Sequence, residues 1–393
     1  MINHDLTLTR PAYDGGSIAN LMASLGAALG APPTPYRPLT SLPDERLGAA
    51  RRIALVVIDG LGAELLSHLA PGGALAAYSH GTMTSVFPPT TASAVTTFMS
   101  GLAPQQHGLT GWFMHFRKLG AVTAVLPFVP RFSRHALGTS NIEPGALIDA
   151  PSFAARIARP SAMLLPRDLA DSAFSCLLGA GARRDGYAGL EDFAARLAAF
   201  VRGDDEAAYL YAYWPELDRL AHLHGPSSAA VATHFAALET VLDGIMRQAA
   251  ASGTLVIVTA DHGFIDSGAD ERIELDAHPE IAAMLALPLC GEPRAAYAYV
   301  RASAADDFEA CVTAELSDAL SLHRSQDFIA EGWYGHGPVH PELAARTGDY
   351  VLCLRERLTL RDSVVGERPF NLRGQHGGTS AAEQYVPLLV AGP

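Results

Sequence analysis

Three short runs of uninterrupted apolar residues organise the chain: 53–58 (IALVVI), 208–213 (AYLYAY) and 254–259 (TLVIVT). None shows the polar and apolar alternation of a strand with one wet face. Each therefore reads as a strand buried on both sides, as in a parallel sheet. All three stop abruptly on polar or turn residues: Asp59-Gly60, Trp214-Pro215 and Ala260-Asp261-His262-Gly263. Between the second and third runs, Val231, Phe235, Leu238, Val241, Leu242, Ile245 and Met246 recur at helical spacing, and Ser252-Gly253 closes the pattern. Strand, helix and strand in succession indicate an α/β domain built on a parallel sheet.

The pattern changes after residue 266. A strand is expected at 294–301, a helix at 304–320 and a strand at 350–354, before the chain returns to a core-like strand at 385–390 (YVPLLV). This reads as a smaller α/β subdomain, 266–370, inserted into a core made of 1–265 and 371–393. The stretch 103–190 is less regular, with many Pro, Gly and Arg residues, and is assigned to the main domain. No internal repeat or low-complexity tract interrupts the chain.

Composition narrows the range of functions. A chain of 393 residues is too long for one simple core. Its net charge of -13 argues against a nucleic-acid surface, which needs clustered Lys and Arg, so an anionic substrate would require positive charge from another source. Cys176, Cys290, Cys311 and Cys353 are widely spaced in apolar contexts and read as buried free thiols, which fits a reducing compartment. The first residues show no basic segment followed by an apolar run, and no uncharged apolar stretch reaches the ~18 residues that cross a bilayer. The expectation is a cytoplasmic protein with no membrane partner; the sequence does not fix its oligomeric state.

Ligands of open α/β sheets bind beyond the carboxyl ends of the strands, which is where the polar residues cluster. The first run delivers Asp59 and the third Asp261 and His262; the second is followed by Asp218 and His222, spaced i, i+4 and so on one face of a helix. Near the carboxyl terminus, His376 sits on a glycine-flanked loop, Arg373-Gly-Gln-His-Gly-Gly. Taken singly, these read as a turn, a solvated helix face and a strand-to-loop transition. Together they offer three carboxylates and three imidazoles, a donor set for zinc or a similar transition metal and enough for two ions. A further stretch, 85–101 (SVFPPTTASAVTTFMSG), places hydroxyls at an expected helix start, where Thr90 and Thr91 are candidates for either capping or chemistry.

These blocks resemble the alkaline phosphatase superfamily, most closely the type I phosphodiesterase/nucleotide pyrophosphatase family. The resemblance rests on Val57-Ile-Asp59-Gly, Phe87-Pro-Pro-Thr-Thr-Ala with Ser100-Gly-Leu-Ala-Pro-Gln-Gln-His-Gly108, Asp218-x-x-x-His222-x-x-Gly-Pro226, Asp261-His262-Gly263 and Gly374-Gln-His376-Gly377. It implies an alkaline-phosphatase-like three-layer sandwich, with a mostly parallel central sheet flanked by helices. It also implies a hydrolase with two zinc ions that cleaves phosphodiester or pyrophosphate bonds through a phosphothreonine intermediate. One ion would be held by Asp218, His222 and His376, the other by Asp59, Asp261, His262 and the nucleophile. Counting back ten residues from Gly101, as the family's spacing implies, singles out Thr91.

Charge points to the substrate class. Two divalent ions, three aspartates and an alkoxide sum to near neutrality, which suits a monoanionic diester or nucleotide unless Arg117 or Arg373 points inward. The chain departs from the family where Thr90 and Ala94 stand in place of a Lys before the nucleophile and an Asn three after it, so a phosphate-binding donor is missing or comes from elsewhere. Trp112 is a candidate for stacking on a base or for the core. His107 is expected to end the nucleophile helix, His234 to lie on an exposed helix face, and His336 and His340 to belong to a loop. The alternatives are a phosphonoacetate hydrolase or a phosphomonoesterase on the same metal core and, from another class, an inactive binding module.

Overall fold

The computed structural model describes residues 8–133, 135–367 and 371–393. The amino-terminal stretch read for a leader, and the end of the 266–370 segment, lie partly outside these residues. The main sheet has seven strands, in the order Ser79–Thr84, Tyr385–Ala391, Thr254–Thr259, Arg52–Ile58, Tyr209–Trp214, Ser161–Pro166 and Arg183–Tyr187. The three continuous apolar runs are its three middle strands. Arg52–Ile58 pairs in parallel with both neighbours, so that Ile53 lies opposite Tyr209 on one side and Leu255 on the other. Tyr385–Ala391 is antiparallel to both of its neighbours.

Helices cover both faces, which explains the lack of alternation. Tyr211 meets Phe98 of helix Thr91–Ser100, whereas Trp214 stacks on His234 of helix Ala229–Ser252. Three residues apart on one strand, Tyr211 and Trp214 project from opposite faces, so the two helices lie on opposite sides of the sheet. The long helix buries Val231, Phe235, Leu238, Leu242, Ile245, Met246 and Ala249, and ends at Gly253, whose φ of 72° is in the left-handed region. The predicted row is thus the buried row, apart from Val241, which is half-buried.

A second seven-stranded sheet has the order Leu320–Arg324, Tyr350–Leu354, Ala295–Ala298, Cys290–Glu292, Phe113–Phe116, Ala121–Ala124 and Val129–Pro130. Its pairs are antiparallel. Four strands come from the 266–370 segment and three from the stretch that looked irregular. Pieces of four, four and two residues are too short for periodicity to register. The helix expected at 304–320 is confined to Phe308–Leu316, with its own core around Phe308, Val312 and Leu316. The four cysteines are free, but only Cys290 and Cys353 are buried; Cys176 is exposed and Cys311 half-buried.

Candidate metal centre

All six predicted ligands converge at the carboxyl edge of the three middle strands. Asp59 directly follows Arg52–Ile58, and Asp261 and His262 follow Thr254–Thr259. Helix Glu216–His224, entered through Pro215, carries Asp218 and His222 on one face. His376 arrives on the loop after the short Gly374–Gln375 strand, which pairs with Ile265–Asp266. Glycines allow this crowding. A Cβ on Gly60, whose φ is 74°, would strike the Phe264 ring, and one on Gly263 would fall on the Ala382 carbonyl oxygen.

Two groups of donors result: Asp218, His222 and His376, and Asp59, Asp261 and His262. In the second, His262 Nε2 lies 3.3 Å from Asp59 Oδ1 and 3.4 Å from Asp261 Oδ2. In the first, His222 Nε2 is 3.4 Å and His376 Nε2 3.9 Å from Asp218 Oδ1. His262 Nε2 is also 3.9 Å from Asp218 Oδ1, so the groups adjoin.

The hydrogen-bond inventory tests whether cations fit. Asp59 Oδ1, Asp218 Oδ1 and Asp261 Oδ2 are buried without a hydrogen-bond partner. They are the same three oxygens that face the imidazoles. The opposite oxygens are engaged: Asp59 Oδ2 accepts from the Tyr213 hydroxyl, and Asp261 Oδ1 accepts from the N–H groups of Gly60 (3.1 Å) and His262 (3.0 Å). Each imidazole turns Nδ1 to a backbone carbonyl: His222 to Gly374 (2.9 Å), His262 to Gly263 (3.0 Å) and His376 to Pro89 (3.3 Å). A carbonyl accepts only, so Nδ1 carries the proton and the Nε2 lone pair faces the cluster. Nε2 of His376 and Nε2 of His222 are 3.2 Å apart, a repulsive meeting of lone pairs that a cation would relieve.

Electrostatics point the same way. Burial pushes the carboxyls up, to about 7 in Asp218 and about 8 in Asp261, and Asp59 is raised as well. It pushes His222 and His376 down and holds them neutral. Buried carboxylates with neutral imidazoles at Nε2 form a site that gains most from divalent positive charge.

The two threonines separate clearly. Thr90 is the N-cap residue of helix Thr91–Ser100 but makes no side-chain capping bond; its hydroxyl instead engages Glu292. Thr91 Oγ1 points into the centre, 3.3 Å from His262 Nε2. Thr90 accepts the N–H groups of Ser93 and Ala94, which leaves those of Thr91 and Ala92 outside the helical ladder. Ala94 is fully buried and offers no donor.

A cavity of about 430 Å³ opens over the first group of donors, lined by Thr90, Thr91, Trp112, Glu292, Gln375 and Leu372 among others. Glu292 and Tyr213 were not found from the sequence. Tyr213 lies inside an apolar strand, and Glu292 closes the strand Cys290–Glu292, too short to carry a pattern. Burial raises the Glu292 carboxyl to about 7, and it accepts the Trp112 N–H at 2.6 Å. Arg117 and Arg373 are exposed and do not line this cavity.

Two histidine expectations are corrected. His107 belongs to a separate turn of helix, Pro104–His107, because Gly101 at φ 71° already ends helix Thr91–Ser100; it is fully buried. His234 is half-buried, stacked on Trp214 and accepting its indole N–H at 3.0 Å. His336 and His340 lie in a loop, as expected; His336 stacks on Tyr36 and His340 is buried.

Comparison with known proteins matches this architecture. The sequence profile of the type I phosphodiesterase / nucleotide pyrophosphatase family matches residues 53–135 and 159–378. No curated protein sequence is matched. Among solved structures, murine ectonucleotide pyrophosphatase / phosphodiesterase 5 superposes with a TM-score of 0.63 at 18% identity, covering 87% of this chain and 88% of the other. An inactive threonine-to-alanine form of that murine protein, in complex with AMP, gives 0.62 at 18%, covering 87% and 88%. Phosphonoacetate hydrolase from Sinorhizobium meliloti 1021, in complex with phosphonoformate, gives 0.59 at 18%, covering 87% and 90%. With the sheet, the flanking helices and the profile in agreement, the chain belongs to the type I phosphodiesterase / nucleotide pyrophosphatase family of the alkaline phosphatase superfamily and is a phosphoester hydrolase.

Proposed function

We propose that the chain is a two-zinc phosphodiesterase or nucleotide pyrophosphatase with Thr91 as its nucleophile. The observation that carries this reading is the placement of Thr91 Oγ1, 3.3 Å from His262 Nε2, at a helix start beside two donor groups with orphaned carboxylate oxygens. Asp218, His222 and His376 would hold one ion, and Asp59, Asp261, His262 and Thr91 the other; the mixed carboxylate and imidazole set suits zinc. Bound there, the ions would supply Lewis acidity, lowering the pKa of a hydroxyl or water and offsetting charge on the phosphoryl oxygens.

The residues' own work follows from their positions. Thr91 gives up its hydroxyl proton and forms a bond from Oγ to phosphorus while the leaving oxygen departs with the bonding electron pair and takes up a proton, giving a phosphothreonine and a free alcohol or phosphate. Water then attacks phosphorus, the bond to Oγ breaks, and Thr91 is regenerated with its proton. The Thr91 and Ala92 N–H groups, outside the helical ladder, suit the phosphoryl oxygens, in place of the Lys and Asn that Thr90 and Ala94 replace. Tyr213 and the three backbone carbonyls hold the donors in orientation.

Charge favours a diester or a pyrophosphate link. Among the described residues no Lys or Arg lines the cavity, and Glu292 adds a carboxyl to it. A dianionic monoester would meet that carboxyl without a compensating cation. Trp112, half-buried at the cavity wall, offers a face for a base or an aromatic leaving group.

The test is turnover of zinc-loaded protein on bis-p-nitrophenyl phosphate, p-nitrophenyl phosphate and phosphonoacetate. The diester should be the best of the three, and EDTA should abolish the activity. Thr91→Ala should lower kcat at least about 100-fold, the scale on which nucleophile removal acts. Undiminished turnover by Thr91→Ala would overturn the nucleophile assignment. Preference for phosphonoacetate or the monoester would replace the diesterase reading, and silence on all three would favour a binding module.

A further inference from the structure

A second and larger cavity, about 500 Å³, lies on the other side of the loop that carries His376. Arg272, Arg357 and Arg373 line it, together with Asn371 and His224. Three arginines among ten lining residues stand out in a chain of net charge -13. The carboxylate among the lining residues is Asp266, which is engaged by the Ser227 hydroxyl at 2.5 Å. Arg357 pairs with Glu271 at 2.5 Å, and Arg272 donates to Asn371 at 2.8 Å and lies 3.8 Å from Glu274. Arg373 is exposed and makes no ion pair among the described residues.

The two cavities share their wall. Leu372 lines both. Helix Glu216–His224 sends Asp218 and His222 to the metal centre and His224 to the basic cavity. The Arg373 N–H donates to the His222 carbonyl at 2.8 Å, so the backbone of this arginine is fixed to a residue of the centre while the residue itself lines the neighbouring space. A molecule with phosphorus at the centre can therefore reach over Leu372 with another part. The exposed Arg357 and Arg373, with the half-buried Arg272, favour a phosphate or carboxylate there, where bidentate hydrogen bonds are available.

We propose that this cavity is an anion subsite of the same active site, so that preferred substrates carry a second anionic group, such as an additional phosphate, beside the scissile phosphoryl linkage. The inference rests on the phosphodiesterase reading above and deepens it: no Lys or Arg among the described residues lines the reaction pocket, and substrate selection by side-chain charge falls to Arg373, with Arg357 and Arg272.

The test uses ligand pairs that differ by one phosphate: NAD against NADP, and dephospho-coenzyme A against coenzyme A, which place it at the ribose 2′ or 3′ position. Each is measured as a competitor of bis-p-nitrophenyl phosphate hydrolysis by the zinc-loaded protein, so a Ki results whether or not the ligand is itself cleaved. In at least one pair the phosphorylated member should bind about tenfold tighter, the effect of one charge-assisted hydrogen bond. Arg373→Gln should bring that ratio close to one, and Arg373→Lys should keep most of it. A merely structural disturbance would weaken both members and leave the ratio unchanged. Ratios near one in the unsubstituted protein, or a ratio that survives both Arg373→Gln and Arg357→Gln, would overturn the subsite. If bis-p-nitrophenyl phosphate is not hydrolysed, the diesterase reading fails by itself, and calorimetric dissociation constants for the same four ligands decide the subsite by the same ratio.

Discussion

Tyr213 links an apolar strand to the candidate metal centre, because its hydroxyl occupies the one Asp59 oxygen that does not face His262. Tyr213→Phe keeps the ring in the sheet and removes only that hydrogen bond. Zinc affinity, measured by chelator competition, is expected to fall about 10- to 100-fold, as for other partners of metal ligands. His107 illustrates a buried group with no part in the chemistry. It accepts the Leu109 N–H at 3.0 Å and faces Thr97 Oγ1 at 3.2 Å. Burial, reinforced by His340 and Arg346, pushes its pKa from 6.5 down to about 3. The folded state thus refuses a proton that the unfolded state accepts, and the stability present above pH 6.5 is lost as pH falls towards 3. The slope from this residue approaches about 1.4 kcal/mol per pH unit. Between pH 6.5 and 4, denaturant midpoints of the unsubstituted protein should fall more steeply than those of His107→Gln; parallel curves would contradict the assignment.

At the scale of elements, what positions the site is the way strands end. Gly263 brings the Asp261-His262 turn against the short helix Ala381–Gln384, where its N–H donates to the Glu383 carbonyl at 2.8 Å. Gly263→Ala should destabilise the fold by about 1–3 kcal/mol, the usual cost of overpacking, and weaken zinc binding together with it. Urea unfolding with and without zinc measures both. The elements that sequence reveals and those it hides differ in physical kind. Runs such as 254–259 are legible because burial on both faces abolishes alternation and leaves Leu255 to Val258 apolar in succession, and the helix from 229 because one buried face repeats at every turn. The strands at 113–130 are hidden because a pairing of two to four residues leaves no period to detect. The i, i+4 spacing of Asp218 and His222 placed them on a helix face, whereas nothing local marked Glu292, whose position depends on strands nearly 180 residues apart, as its bond to the Trp112 N–H shows.

For the whole molecule, the junction between the two sheets matters most. Arg294, 1% exposed, leaves the second sheet to meet Glu383 at 3.0 Å, and Glu383 in turn accepts the Gly378 N–H at 2.8 Å, two residues from His376. Arg294→Ala would leave Glu383 buried and unpaired, at an expected cost of about 3–5 kcal/mol, whereas the paired change Arg294→Met with Glu383→Gln should recover much of it. Thermal unfolding of the single and double variants distinguishes a buried pair from a dispensable one. The sequence by itself determined the parallel core, the six candidate donors and a pair of threonine hydroxyls at a helix start, because strand burial, helix spacing and side-chain chemistry are local properties written in consecutive residues. Only the tertiary structure decided that Thr90 turns to Glu292 and Thr91 to His262, that no arginine among the described residues lines the cavity over the centre, and that three arginines gather in the space beyond Leu372. Those outcomes depend on which distant segments share a wall, and contact between segments hundreds of residues apart is set by packing rather than by any pattern along the chain.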